Sequence, residues 1–250
     1  MSVHNQTASS LSELLLESAD GGARTPAADL VVAALHELTL RLLGQYLGEM
    51  FDAADDILFG SVEKAKDGAE QRLYLDSMRT VRVQRGRIIP AFQDALGRAL
   101  SRVDEEPAEV STTALDDMSH WSLEDGDALE ERLALNSIEA RATAACATQY
   151  EALRSQLARL AVHAKGRISE ESMAPARIVR SFRDAMKDLV VEAPVKLVVY
   201  KLFERVVVSR FPELFGRAGS LLAENGIEPA ESAPSSPRAA RGAGRPARPP

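Results

Sequence analysis

Between Pro194 and Arg210 the chain reads PVKLVVYKLFERVVVSR, a run too apolar for a surface and too charged for a bilayer. At 3.6 residues per turn, Val195, Val198, Val199, Leu202, Phe203 and Val206 fall on one face. Lys196, Lys201, Glu204 and Arg205 share a narrower opposite strip with Leu197 and Val208. The valines would suit a strand, but charges at 196, 201, 204 and 205 cannot share one face under alternation by two. The reading that remains is a helix with neighbours on most sides, so the rest of the chain must supply the helices that surround it. Pro194 fits its first turn. Phe211 stands before Pro212, and the residue before a proline is pushed out of the α region, so the helix should end there and another begin. A bilayer span needs roughly 20 apolar residues, which this run lacks.

Composition agrees with an all-α body. Aromatic residues make up only 5% of the chain, 45% is hydrophobic, and alanine, leucine, arginine and glutamate are abundant. The net charge of -7 is unevenly spread: Ser236 to Pro250 holds Arg238, Arg241, Arg245 and Arg248 and no acid, and removing those four charges leaves -11. An acidic body of this kind does not point to nucleic acid. Cys146 is the single cysteine, which rules out an intrachain disulfide and a cysteine-based zinc site. Leu14 to Leu16 lies between Glu13 and Glu17 with no basic segment before it, so no signal peptide is expected and the cytoplasm is the expected compartment.

Periodicity divides the chain. Residues 1–27 are rich in Ser, Thr, Gly and Ala and read as a disordered leader. Residues 28–103 read as a helical hairpin: apolar positions recur at three and four from Ala28 to about Lys66, Asp67-Gly68 supplies turn chemistry, and a second helix runs to Pro90. A kink or break is expected at Pro90, with the pattern resuming from Ala91 to Val103. Residues 104–121 lack periodicity and read as a linker. Residues 122–227 read as a helical bundle: one long helix to about His163, one opened by Pro175 and carrying Ile178, Phe182 and Leu189, the central helix, and a last helix from Pro212. That last helix should close at Asn225-Gly226, with Gly226 left-handed and Ile227 its apolar partner. Residues 228–250, almost wholly Ala, Ser, Pro, Gly and Arg, read as a disordered tail.

Several ordered blocks are similar to a known family. Met50-Phe51-Asp52, Ala54-Asp55-Asp56, Leu58-Phe59, Tyr74, Met78-Arg79 and Arg82 resemble the opening of a bacterial family catalogued as domain of unknown function 1631. Leu129-Glu130-Glu131, Arg141-Ala142, Phe182-Arg183 and above all Val195-Lys196-Leu197-Val198 with Tyr200 to Arg205 resemble its next segments. The resemblance runs from about Ala28 to Ile227. It implies no activity. Members of the family are usually much longer, so a fragment, a shortened paralogue or a frameshifted copy is expected.

The residues themselves offer few chemical constellations. Glu49, Asp52, Asp55 and Asp56 share a helix face and could meet a ligand or metal. A hairpin turning near Asp67 would instead set Asp55 against Arg79, Asp52 against Arg82 and Glu49 against Arg85, an ion-pair ladder. Arg177, Arg180 and Arg183, with Lys187, make a basic face interleaved by Asp184 and Asp188 that could self-pair or meet phosphate. Asp116 and His120 have ligand spacing but fall in the linker, and Cys146 sits in an apolar seam, so neither a metal nor a cofactor is expected. No nucleophile, base and orienting group stand together. The expected role is a non-enzymatic helical interaction or regulatory module with a protein partner or its own copy. The alternative is a nucleic-acid or nucleotide-associated protein acting through the arginine tail and the Arg177 face.

Overall fold

A computed structural model describes residues 26–101 and 123–229, which are helical and contain no strand. The expectations for the leader before Pro26, the linker between 102 and 122 and the tail after 229 lie outside these residues. Helix α1 (Pro26–Lys64) and helix α2 (Gly68–Ser101) form an antiparallel hairpin. The turn is built by Asp67, whose Oδ1 accepts from the amides of Ala69 and Glu70, both at 2.9 Å. Glu70 reaches back, its Oε2 accepting from the Lys66 amide at 2.7 Å. This reciprocal cap satisfies amide donors that a helix start leaves open.

Pro90 does not break the helix, since α2 runs through it to Ser101. Pro90 is exposed, so the lost donor belongs to the solvent side, while Ile88, Phe92, Leu96 and Leu100 pin both halves of the helix to the core.

The single helix expected through His163 is two: α3 (Leu123–Ala145) and α4 (Ala147–Ala164). Buried Cys146 separates them at φ -118° and ψ 14°, its thiol donating to the Ala142 carbonyl at 2.8 Å. The two helices meet different neighbours. α3 packs on α5 (Pro175–Ala185) and α6 (Ala193–Leu202), whereas α4 packs on α7 (Phe211–Glu224) and α1.

The central segment is not α-helical throughout. After α6 the backbone widens into a π-helical turn at Phe203–Val207 and tightens into a 3₁₀ turn at Val208–Arg210 before α7 begins at Phe211. The wide turn re-aims the valines: Val207 and Val208 are buried, while Val206 is only half-buried and Val208 leaves the polar strip that regular winding assigned it. α7 ends as expected. Gly226 has φ 80°, the Ile227 amide donates to the Leu222 carbonyl at 2.9 Å, and Ile227 is buried.

Side chains from both helical segments share one apolar core. At its centre Phe182 of α5 stacks on Phe203, with centroids 3.9 Å apart and planes 4° from parallel. Tyr200 meets the same ring edge-on at 6.1 Å, and Phe92 of α2 does so at 6.4 Å. Two rings from the central segment and one from the hairpin therefore converge on a single buried phenyl group.

Candidate functional site

The acidic and basic faces of the hairpin meet, one turn away from simple mirror counting. Arg82 forks onto Asp55 with Nε at 3.1 Å and Nη2 at 3.0 Å, and Arg85 reaches Asp52 at 2.5 Å. Asp55 therefore pairs with Arg82 and not Arg79, and Asp52 with Arg85 and not Arg82. Helical side chains lean toward their own N-terminus, which on α2 means toward the turn. A long arginine thus covers one turn of helix that counting Cα positions omits. Arg79 stands exposed without an ion pair among the described residues. Glu49, expected opposite Arg85 in the same ladder, accepts from Gln45 at 3.0 Å and binds Arg210 at 2.5 Å, and the Gln45 hydrogen bond and then Arg210 lower its pKa.

The basic face of α5 is divided. Half-buried Arg177 donates to the Ala99 carbonyl of α2 at 3.2 Å. Arg180 forks onto Glu139 of α3 at 3.3 and 3.4 Å. Arg183 and Lys187 both lean on Asp184, at 3.4 and 2.9 Å, and are exposed. Two of the three arginines therefore fasten α5 to its neighbours.

Other polar clusters carry no sequence signal because their members are far apart in the chain. Tyr150 donates to Glu171 at 2.8 Å, and Arg154 bridges Glu170 at 2.8 Å and Glu171 at 3.0 Å. Tyr200 donates to Glu131, which also meets Lys196 at 3.5 Å. Burial, and then the adjoining carboxylate, push both phenols far above the usual tyrosine range, so they remain fixed donors at neutral pH. Arg210 lies over the Tyr46 ring, 4.8 Å from its centroid. Burial pushes the Cys146 thiol up to about 11, which removes the thiolate a nucleophile needs. Among the described residues no three His, Cys, Asp or Glu side chains are placed to hold a metal ion, and no helix is long and apolar enough to cross a membrane. Asp116 and His120 lie outside those residues.

The distinctive surface is the distal half of the hairpin. From 52 to 87 only Ala54, Leu58, Ser77 and Val81 are buried, and every side-chain hydrogen bond and ion pair of this stretch closes within it. Residues 52–64 alone make an arm of about 20 Å at 1.5 Å per residue. Phe59 is 54% exposed and Leu75 43%. Phe59 and Val62 follow Asp55 by four and seven residues; Met78 and Leu75 precede Arg82 by four and seven. Both sets therefore lie on the side of the hairpin marked by the Asp55–Arg82 pair. The two salt bridges lead along that side into an apolar patch near the tip.

A family model described as the N-terminal domain of a protein of unknown function, DUF1631, matches residues 27–226 of the chain. No curated protein and no solved structure matches it.

Proposed function

This chain belongs to the DUF1631 family, through that family's N-terminal domain, and from that premise we propose that it is a non-enzymatic helical interaction module whose contact surface is the hairpin arm. The observation that carries this reading is the apolar patch of Phe59, Val62, Leu75 and Met78, set on a self-contained arm and left partly exposed. A helical pair that serves only to fill a core would turn such side chains inward. Part of the charge supports the same reading: Asp52–Arg85 and Asp55–Arg82 on the arm, and Arg177 and Arg180 on α5, hold helices together. The nucleic-acid alternative acts through the arginine tail, which lies outside the described residues, and through the Arg177 face. Arg177 and Arg180 are engaged by Ala99 and Glu139.

A photo-crosslinking side chain placed at position 59 of the full chain in cells tests the proposal. The control carries it at Val190, which is 84% exposed on the body. Adducts should form at 59 well above the yield at 190. Equal yields at the two positions would refute the arm as the contact surface. Retention on a polyanion column lost on Arg180→Ala or Arg183→Ala would favour the alternative.

A further inference from the structure

We infer that the arm's partner is the arm of a second copy of this chain, packed with both tips pointing the same way; this rests on the interaction reading above. The first argument is charge. In 52–64, Asp52, Asp55, Asp56 and Glu63 outweigh Lys64 and leave three negative charges. In 68–87, five arginines outweigh Glu70 and Asp76 and leave three positive charges. One helix of the arm is thus acidic and the other basic by the same amount, which makes the arm complementary to itself. Asp56, Glu63, Arg79 and Arg87 take part in no ion pair among the described residues, so part of this charge is unanswered within the chain.

Charge also selects the geometry. A two-fold axis across the arms would lay acidic α1 on acidic α1 of the second copy. An axis along the arms lays acidic α1 on basic α2, antiparallel, and buries the Phe59 and Leu75 side between them as the core of a four-helix bundle. Each residue contact then occurs twice, as an isologous interface requires.

The available area sets the strength. Two helices about 10 Å apart and about 20 Å long present a face of roughly 400 Å². Two such faces bury about 800 Å², below the roughly 1,200 Å² at which stable interfaces begin. Association is therefore weak and concentration-dependent, and it is salt-sensitive because rim charges contribute to it.

Sedimentation velocity of the full chain tests this from about 1 μM to about 1 mM. A monomer–dimer equilibrium is expected, shifted to monomer by Phe59→Ser with Leu75→Ser, with circular dichroism unchanged because both side chains are surface residues. Two charge variants test the pairing. Asp56→Arg with Glu63→Arg makes both arm helices basic, and Arg72→Glu with Arg79→Glu makes both acidic. Each alone should be monomeric, and a mixture of the two should form a heterodimer that dissociates in about 1 M NaCl, where the Debye length is about 3 Å. A wild type monomeric throughout, or charge variants that dimerise alone as the wild type does, would overturn the inference. The interaction reading fails separately, since it predicts adducts at position 59 whatever their mass: adducts of twice the chain mass fit self-association, and adducts only of other masses overturn it while leaving that reading in place.

Discussion

Replacing Phe182 by alanine removes the ring on which three others rest. The side chain is fully buried, stacked against Phe203 and met edge-on by Tyr200 and Phe92. Phenylalanine-to-alanine changes in cores cost about 3 to 5 kcal/mol, from lost transfer energy and a cavity that closes only partly. Each aromatic pair adds about 0.5 to 1.5 kcal/mol beyond buried area. Three such pairs set the expectation at the upper end, about 4 to 5 kcal/mol, out of a total of roughly 5 to 15 kcal/mol for an ordinary domain. Phe182→Leu, which keeps most of the volume, should cost much less, about 1.5 kcal/mol. Urea unfolding followed by circular dichroism measures both, with the slope of the transition unchanged if the unfolded state is unaffected. Phe92 comes from the hairpin and Phe203 from the central segment, so the whole body should lose stability in one transition. A loss below about 2 kcal/mol would refute the packing argument. A first transition that moves while a second keeps its wild-type midpoint would show that the hairpin does not depend on this ring.

A double-mutant cycle on Asp55→Ala and Arg82→Ala should give a coupling of about 0.2 to 1 kcal/mol at low salt, whereas Asp55→Ala with Arg79→Ala should give none; urea midpoints showing the reverse would restore the mirror-counted pairing. Cys146, buried and with its thiol near 11, should resist a thiol reagent at pH 8 until the chain unfolds, and rapid modification under native conditions would show that α3 and α4 separate at that position. Burial and then Arg167 hold the His36 pKa below its ordinary 6.5, so the folded state binds this proton more weakly than the unfolded chain does. The His36 contribution to stability is therefore intact above pH 6.5 and lost as pH falls through the depressed folded value, and His36→Asn should remove that part of the pH dependence. An imidazole titration by NMR with its midpoint at or above 6.5 would refute this.

How much of the fold was legible depends on the range over which each cause acts. The hairpin, its turn at Asp67, the helix opened by Pro175 and the Gly226 terminus all follow from side chains within a few residues of one another. The break at Cys146 and the wide turn at Phe203–Val207 do not, because they answer to partners far along the chain: α3 and α4 serve different neighbours, and the widened turn brings Arg210 over Tyr46 and Glu49. That Pro90 would not end α2 was not legible, because a proline's cost depends on which side of the helix loses the donor, and burial decides that. The acidic and basic faces were legible as sets of charges. Their partners were not, since an arginine side chain spans a full turn and Arg177 and Arg180 could find Ala99 and Glu139 only once α5 had docked.

α1 is a single unbroken helix of 39 residues that belongs to both the arm and the body. Its far end carries Leu58 and Phe59, while its near end lies under Arg167 and Met173 through Asp29 and Thr39. No joint separates these ends, so the helix is a strut clamped along one half and free along the other. A sideways load at the tip is balanced by the clamp, and the reaction falls where the strut leaves the body, near Glu49 and Arg210. Helices bend only gently without a proline, a glycine–serine pair or an inserted side chain, and the one such pair in α1, Gly60-Ser61, lies beyond Phe59, so the stretch from the body to Phe59 is stiff. Whatever grips the tip therefore levers the packing beneath it, and the force reaches the π-helical turn beside Arg210 without any loop having to move.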